Sequence, residues 1–199
     1  NKASAATTKH SSNKFITKCI TSNKSDSKPI RASSNIVIYN SEPYEMYPSG
    51  KRVTDIGNLL NNKLREKGMH SSFIKNTITN NNIKDCSLPY KEYIKTYDVT
   101  RKLITQNVKN YNNTILLDLY RDKAHRNKSN IKISLVKNNP HYAENKKFAD
   151  SFAAQLTKLG DQVTIDDYNL TSTYFNQDLS NRSIVLGIGD INSSDTELE

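Results

Sequence analysis

The sequence predicts an α/β fold in which a mostly parallel, twisted sheet of about six strands carries helices on both faces. Short apolar segments bounded by polar residues alternate along the chain with longer segments in which apolar residues recur at helical spacing. Residues 114–119, TILLDL, are apolar almost throughout, which is typical of a central parallel strand buried on both faces. Alternation of strands and helices favours parallel strands joined by crossover helices, so it predicts this fold class.

The elements of this fold are predicted in order after a polar N-terminal segment. The six strands are expected at 35–40, 69–74, 114–119, 131–136, 163–165 and 183–188. A first helix carries an apolar stripe over 53–64 and ends at Gly68, because glycine commonly terminates helices. A polar loop over 76–97 overlaps the start of a second helix at 93–109, and a third helix ends at Gly160.

The length and composition allow one folded domain of moderate size. The 199 residues are 35% hydrophobic and contain no Trp, which suffices for a single core. Residues 1–33 hold too few apolar side chains to fold, so we predict a flexible basic linker there and one domain over 34–197. No run of about eighteen apolar residues occurs, so membrane attachment is expected only through an anchor upstream of Asn1.

The positive charge does not by itself identify a partner. The formal net charge is +9, but residues 1–31 hold seven basic residues and one acidic residue, which leaves the predicted domain only mildly basic. A cationic tail suits nucleic acid, anionic lipid and wall teichoic acids alike, and a tail that only keeps the chain in solution fits as well. A nucleic-acid-binding module would rest on charge alone, and we predict no nucleic-acid partner. Cys19 and Cys86 form neither a metal-like pair nor a disulfide framework.

Polar and charged side chains follow two of the predicted strands where each strand ends. The first strand is followed within a few residues by Glu42 and Glu45, and the strand TILLDL runs into Tyr120 and Arg121. Ligands of open α/β sheets bind outside the carboxyl ends of the parallel strands, so these residues mark a candidate site. The stretch 121–137 is basic, which favours an anionic glycan or a peptide carboxylate as ligand, although a solvated loop explains it equally well.

Several motifs resemble those of one known family. Residues 38–47, IYNSEPYEMY, are similar to the pattern Ile-Tyr-(His/Asn)-Thr-His-x-x-Glu-x-Tyr, and residues 174–180, YFNQDLS, nearly match Tyr-Asn-Gln-Asp-Leu-Ser. Residues 118–122, DLYRD, resemble Asp-Leu-His-Arg-Asp, and residues 145–149 resemble Asn-x-x-Phe-Ala. These are motifs of the stage II sporulation protein P family, zinc-dependent peptidoglycan hydrolases of spore-forming bacteria. The resemblance covers residues 35 to about 196 and implies a zinc amidase-like fold.

The resemblance also implies that the site has changed. The metal-binding His residues of the family fall on Glu42 and Tyr120 and its catalytic Glu falls on Gly187, whereas Glu45 keeps the aligned carboxylate. A site without imidazole favours hard ions and binds zinc poorly, and position 187 has no carboxylate to move protons. The resemblance therefore implies a degenerate groove with no catalytic residue and no metal, formed by Glu42, Glu45, Asp118, Tyr120, Arg121, Asn176, Gln177 and Gly187.

We therefore expect a catalytically inactive member of this family, without a cofactor. It would bind peptidoglycan or another anionic wall polymer, or a protein of the engulfment machinery. Its expected place is outside the cytoplasm, at the cell wall or membrane of a Gram-positive spore former. The alternative is an active metal-dependent N-acetylmuramoyl-L-alanine amidase or endopeptidase that holds zinc in a rearranged site, combining Glu42 and Glu45 with His125 and His141.

Overall fold

The computed structural model describes residues 35–76, 90–123, 130–170 and 173–199, with the backbone alone for residues 90–93. Most of the predicted domain is therefore described. The predicted linker at 1–33 lies outside the described residues, and so do Cys86 and His125.

A six-stranded sheet forms the centre of the fold. Its strands are β1 (Asn35–Tyr39), β2 (Ser71–Ile74), β3 (Thr114–Asp122), β4 (Ile131–Val136), β5 (Val163–Tyr168) and β6 (Arg182–Asp190). They lie in the order β2-β1-β3-β6-β4-β5, and every neighbouring pair is parallel except β6 and β4. The prediction of a mostly parallel sheet of about six strands is confirmed.

The reversal between β6 and β4 follows from the short connection after β3. Only residues 123–130 separate β3 from β4, whereas a parallel return needs a crossover of about a dozen residues or more. β4 therefore starts at the edge of the sheet where β3 ends. As a result, Lys132 near the start of β4 lies beside Gly187 near the end of β6.

Helices cover both faces of the sheet, as predicted. They are α1 (Val53–Glu66), α2 (Tyr90–Asn107), α3 (Tyr142–Lys158) and the short α4 (Asp195–Leu198). α1 and α3 pack on one face, where their apolar side chains join alternate residues of the strands in the main core. On the other face, Ile104 of α2 and Val108, which directly follows α2, form a second apolar cluster with Val37, Tyr39 and Leu116. Among the described residues, no helix combines the length and hydropathy that crossing a membrane requires.

Two boundaries differ from the prediction in ways that affect the site. α2 begins at Tyr90, so residues 90–92, predicted as loop alone, are helical, as are residues 93–97, where the predicted loop and helix overlapped. β3, predicted to end at 119, continues through Tyr120 and Arg121 because β6 pairs with it and brings Gly187 opposite Tyr120. Side chains alternate along a strand, so Tyr120, like Leu116, points to the face that carries α2.

The last residues of the chain belong to the folded part. Leu198, one position beyond the predicted domain end at 197, is only 1% exposed and packs in the main core. The loop after β1 is attached to the same region, since the hydroxyl of Tyr47 donates to the carbonyl of Ile188 at 2.7 Å. The folded domain therefore reaches at least to Leu198.

Candidate functional site

A cavity of about 350 Å³ opens on the α2 face of the sheet, at the edge where β1, β3 and β6 end. We call it the groove. Tyr120, Ser134 and Val185 form its floor, and Tyr97 of α2 and Phe175 form one wall. The other residues that line it are Glu42, Tyr44, Glu45, Arg121, Asp122, Lys123, Lys132 and Tyr168. The groove lies at the edge of the sheet where the sequence predicted a site.

The turn that follows β1 is held by a buried aspartate of β3. Both carboxyl oxygens of Asp118 accept hydrogen bonds from Ser41, one from the backbone N–H at 2.9 Å and one from the hydroxyl at 2.6 Å. Burial raises the pKa of Asp118 to about 7, although the bonds from Ser41 act in the opposite direction. Asp118 is 1% exposed and lies beneath the turn, where it sets the direction in which Glu42 leaves β1.

Glu42 lies in the groove between two tyrosines. The hydroxyl of Tyr44 donates to Oε2 at 3.3 Å, and the hydroxyl of Tyr97 donates to Oε1 at 3.4 Å. Burial raises the pKa of Glu42 despite these hydrogen bonds. Because metal ligands bind in their deprotonated form, a carboxyl with a raised pKa is a weaker ligand than an ordinary carboxylate.

The carboxylate of Glu45 attaches the loop after β1 to β3. Its Oε2 accepts the backbone N–H of Arg121 at 2.6 Å, and Glu45 is only 6% exposed. The guanidinium of Arg121 returns to the same loop, where Nη1 donates to the carbonyl of Met46 at 2.9 Å. Glu45 therefore has a structural role at the position where the resemblance implies a retained carboxylate.

The ring of Tyr120 covers Gly187. A Cβ atom added to Gly187 would lie 2.8 Å from Cζ of Tyr120 and 3.0 Å from its Cε1 and hydroxyl, closer than unbonded atoms pack. The hydroxyl lies 3.4 Å from Oγ of Ser134 and 3.5 Å from Oδ2 of Asp122. Burial raises the pKa of Tyr120 well above its ordinary value, so the phenol stays protonated. A neutral ring thus fills the space that a side chain at 187 would need.

Lys132 places a positive charge on the same part of the floor. Its Nζ lies 2.9 Å from Asp166 and 3.7 Å from Asp122. Burial lowers the pKa of Lys132, but the hydrogen bond to Asp166 and the charge of Asp122 outweigh burial, and the net pKa is raised. Tyr120 and Lys132 are both held protonated, so neither can act as a base that activates the Ser134 hydroxyl.

Ser134 was not predicted as a site residue, and Lys132 was predicted only as part of the basic stretch 121–137 beside the site. They lie in the groove because β4 is antiparallel to β6, which brings the start of β4 to the edge where β6 ends. One signal was available in the sequence. Both residues are polar and alternate with apolar residues in the segment IKISLV, so they share one face of that strand.

Asn176 and Gln177, predicted as groove residues, lie behind its wall. Gln177 is fully buried, and its Nε2 donates to the carbonyl of Ser134 at 2.8 Å while its Oε1 accepts the N–H of Val136 at 2.9 Å. Nδ2 of Asn176 donates to the carbonyl of Tyr97 at 3.2 Å. Of the predicted residues, the structure therefore brings together at the groove Glu42, Glu45, Tyr120 and Arg121, and it places beneath or behind it Asp118, Asn176, Gln177 and Gly187.

The donors that the described residues bring to the groove do not fit a zinc ion, and His125 of the rebuilt site lies outside those residues. In the ranges that the structure describes, no three or more His, Cys, Asp or Glu side chains come close enough together to hold a metal. Glu42 has a raised pKa and Glu45 binds the N–H of Arg121. His141 hydrogen-bonds Asn181 just before β6, which is the opposite edge of the sheet, so it cannot complete a rebuilt site with Glu42 and Glu45.

A comparison with models of protein families tests whether the chain belongs to the family that its motifs resemble. The model of Stage II sporulation protein P (SpoIIP) matches residues 1–199. The chain belongs to the SpoIIP family. The resemblance seen in the motifs is thereby confirmed, and SpoIIP membership supports a function related to sporulation and the cell wall. A comparison with curated protein sequences gives no match.

Three solved amidase structures have a partly similar chain path. The CwlD amidase from Clostridioides difficile, in complex with the GerS lipoprotein, is 11% identical, covering 80% of this chain and 84% of its own, with a TM-score of 0.45. Ami1, the N-acetylmuramyl-L-alanine amidase of Mycobacterium smegmatis, is 10% identical, covering 83% and 90%, with a TM-score of 0.49. AmiC2 of Nostoc punctiforme is 10% identical, covering 81% and 82%, with a TM-score of 0.40. At these scores the similarities carry no inference about the activity, ligands or partners of the SpoIIP-family chain.

Proposed function

We propose that this SpoIIP-family protein is catalytically inactive and that its groove binds peptidoglycan, outside the cytoplasm, in the cell wall of a Gram-positive spore former. The observation that carries the proposal is the Tyr120 ring, which fills the space over Gly187. In the family pattern that the sequence resembles, these two positions hold a metal ligand and the catalytic carboxylate. Here one substitution removes the carboxylate and the other occupies its space.

The groups that remain in the groove support inactivity. Hydrolysis of an amide by a metal-bound water needs an open metal position and a group that transfers protons. Glu42 has a raised pKa because it is buried, and Glu45 is used to hold the loop to β3. The hydroxyl of Ser134 lies 3.4 Å from the protonated hydroxyl of Tyr120, which cannot act as its base. These groups can bind a ligand by hydrogen bonds and charge, but they do not activate water.

The lining of the groove supports a wall ligand. Peptidoglycan presents sugar rings, amides and carboxylates. Aromatic side chains can pack against sugar rings, and the groove carries Tyr44, Tyr97, Tyr168 and Phe175. Lys123, an exposed residue on the groove, can contact a carboxylate of the ligand. The cavity volume of about 350 Å³ lies within the range of ligand sites, roughly 300 to 1,000 Å³.

The proposal is tested by incubating the purified full chain with insoluble peptidoglycan from a Gram-positive spore former, with and without added zinc. We expect the protein to sediment with the peptidoglycan and to release no soluble stem peptides or glycan fragments. The matched control is Glu45→Gln, which keeps an oxygen to accept the Arg121 N–H but has no carboxylate.

Two results would contradict the proposal. Zinc-dependent release of fragments that is lost in Glu45→Gln would show an active amidase or endopeptidase with a rearranged site. Protein that stays in the supernatant would contradict peptidoglycan binding, and a protein of the engulfment machinery would then be the candidate ligand of the groove.

A further inference from the structure

The segment before β6 contains a phenylalanine in a backbone conformation that this residue type rarely adopts. Phe175 and Asn176 have φ angles of 51° and 58°, in the left-handed region, although neither is glycine. Such a conformation costs conformational energy, most of all for a bulky residue such as Phe, and it persists only where surrounding contacts enforce it. We call residues 173–180 the latch, and its contacts explain why this conformation is maintained.

Gln177 attaches the latch to the sheet as a neighbouring strand would. β4 pairs with β6 only as far as Ser134, opposite Val185. Beyond that point the side-chain amide of Gln177 makes hydrogen bonds to the β4 backbone in place of β6. Its Nε2 donates to the carbonyl of Ser134 at 2.8 Å, and its Oε1 accepts the N–H of Val136 at 2.9 Å. A side-chain amide has the same donor and acceptor as a backbone peptide group, so Gln177 satisfies β4 where β6 no longer does.

Asp178 and Asn176 attach the latch to α2. Both guanidinium Nη atoms of Arg101 donate to the Asp178 carboxylate at 2.8 Å, which is a bidentate pair. Nη1 of Arg101 also lies 3.5 Å from Oδ1 of Asn176, and Nδ2 of Asn176 donates to the carbonyl of Tyr97 at 3.2 Å. The latch therefore joins β4 to α2 behind the groove.

The latch also places the side chain of Phe175 in the wall of the groove. The ring centroids of Phe175 and Tyr97 are 4.6 Å apart at an interplanar angle of 30°, and both rings line the groove. The hydroxyl of Tyr97 in turn donates to Glu42. A displacement of Phe175 would therefore change the orientation of the Tyr97 ring and the hydrogen bond that it makes in the groove.

We infer that Asn176, Gln177 and Asp178 are positioning residues, which hold Phe175 against Tyr97 and so set the aromatic wall with which the groove meets its ligand. They act through Phe175 and Tyr97 and make no contact with the ligand themselves. This inference rests on the proposed function, because it assumes that the groove binds peptidoglycan.

The test uses Asp178→Ala in the full chain, with insoluble peptidoglycan as the binding probe. We expect binding, measured well below the melting temperature of the variant, to weaken about three- to tenfold, because the bidentate pair with Arg101 no longer holds the latch against α2. Asp178→Asn, which keeps one oxygen to accept from Arg101, should recover part of the binding. Lys146→Ala is the matched control, because it breaks an exposed 2.8 Å pair with Asp150 on α3, away from the groove.

A second measurement does not depend on the ligand. Because the two rings are 4.6 Å apart, the ring current of Phe175 should shift the proton resonances of the Tyr97 ring in NMR spectra. We expect Asp178→Ala to reduce this ring-current shift and Lys146→Ala to leave it unchanged. If the wild type binds peptidoglycan and Asp178→Ala binds equally well, the inference is overturned. If the wild type binds no peptidoglycan, the proposed function fails by itself, and the Tyr97 resonances then decide: a reduced shift supports the positioning role and an unchanged shift overturns it.

Discussion

Replacing Gly187 with glutamate is expected to lower the free energy of unfolding by about 3 kcal/mol, and removing the Tyr120 ring is expected to cancel most of that cost. The first carbon of the new side chain would lie 2.8 Å from Cζ of Tyr120, so the ring must leave its place on the floor of the groove. The displaced ring would lose its contacts with Ser134 and Asp122. Urea unfolding of the variant measures the change.

A double-mutant cycle separates the steric overlap between the new side chain and the Tyr120 ring from the other effects of the new carboxylate. Gly187→Glu and Gly187→Ala are each measured in the wild type and in Tyr120→Ala, and Gly187→Ala adds only the colliding carbon. We expect both substitutions to cost less than about 1 kcal/mol once the ring is absent. Equal costs in the two backgrounds would show that Tyr120 does not occupy the space of a side chain at 187.

Replacing Asp118 with asparagine is expected to make the protein more stable than the wild type at high pH, by an amount that grows to about 4 kcal/mol between about pH 4 and about pH 8. Burial raises the pKa of Asp118 from its ordinary value of 3.8 to about 7 in the folded protein. Stability from a group with a raised pKa is fully present below the unfolded pKa and is lost as the pH rises through the folded pKa. The wild type should therefore lose this stability up to about pH 7, whereas the asparagine side chain of the variant has no proton to lose.

Asparagine at this position keeps the geometry of the turn. Its Oδ1 can accept the backbone N–H of Ser41, and its amide can donate to the Ser41 hydroxyl oxygen, in place of the two bonds that Asp118 accepts. Urea unfolding at intervals between about pH 4 and pH 8 measures the difference between variant and wild type. Because Asp118 is protonated at the low end, the two proteins should differ there by less than about 1 kcal/mol. A difference that stays constant with pH would contradict the raised pKa.

The sequence predicted the sheet, and the edge of the sheet at which the groove lies, because both depend on local patterns. An apolar segment that stops at polar residues specifies a strand end, and Glu42 and Glu45 follow such an end directly. The sheet then places them beside β3 through parallel pairing, which the alternation of strands and helices favours. The motif match also predicted the family, which the comparison over the full chain confirmed.

The relationships within the site could not be predicted, because they depend on register and on strand direction. The motif resemblance implied that Tyr120 and Gly187 both differ from the family pattern, but only the β3–β6 register shows that the Tyr120 ring occupies the space of a side chain at 187. Lys132 reaches the groove only because β4 runs antiparallel to β6, and an apolar strand pattern does not reveal strand direction.

A motif match also does not distinguish a residue that contacts the ligand from a residue with a structural role. Gln177 matches the motif and was predicted as a groove residue, but its amide pairs with the backbone of β4. Glu45 matches as well, and its carboxylate holds the N–H of Arg121, which is distant in sequence. The role of such residues follows from tertiary hydrogen bonds that leave no periodic pattern in the sequence.

The zinc content of the purified full chain, measured after dialysis against zinc and removal of the free ion, tests most directly whether the groove can support catalysis. The raised pKa of Glu42, the use of Glu45 by Arg121 and the ring over Gly187 predict substoichiometric zinc, at the same level in the wild type and in Glu45→Gln. One zinc ion per wild-type chain, lost in Glu45→Gln, would contradict the inactive groove.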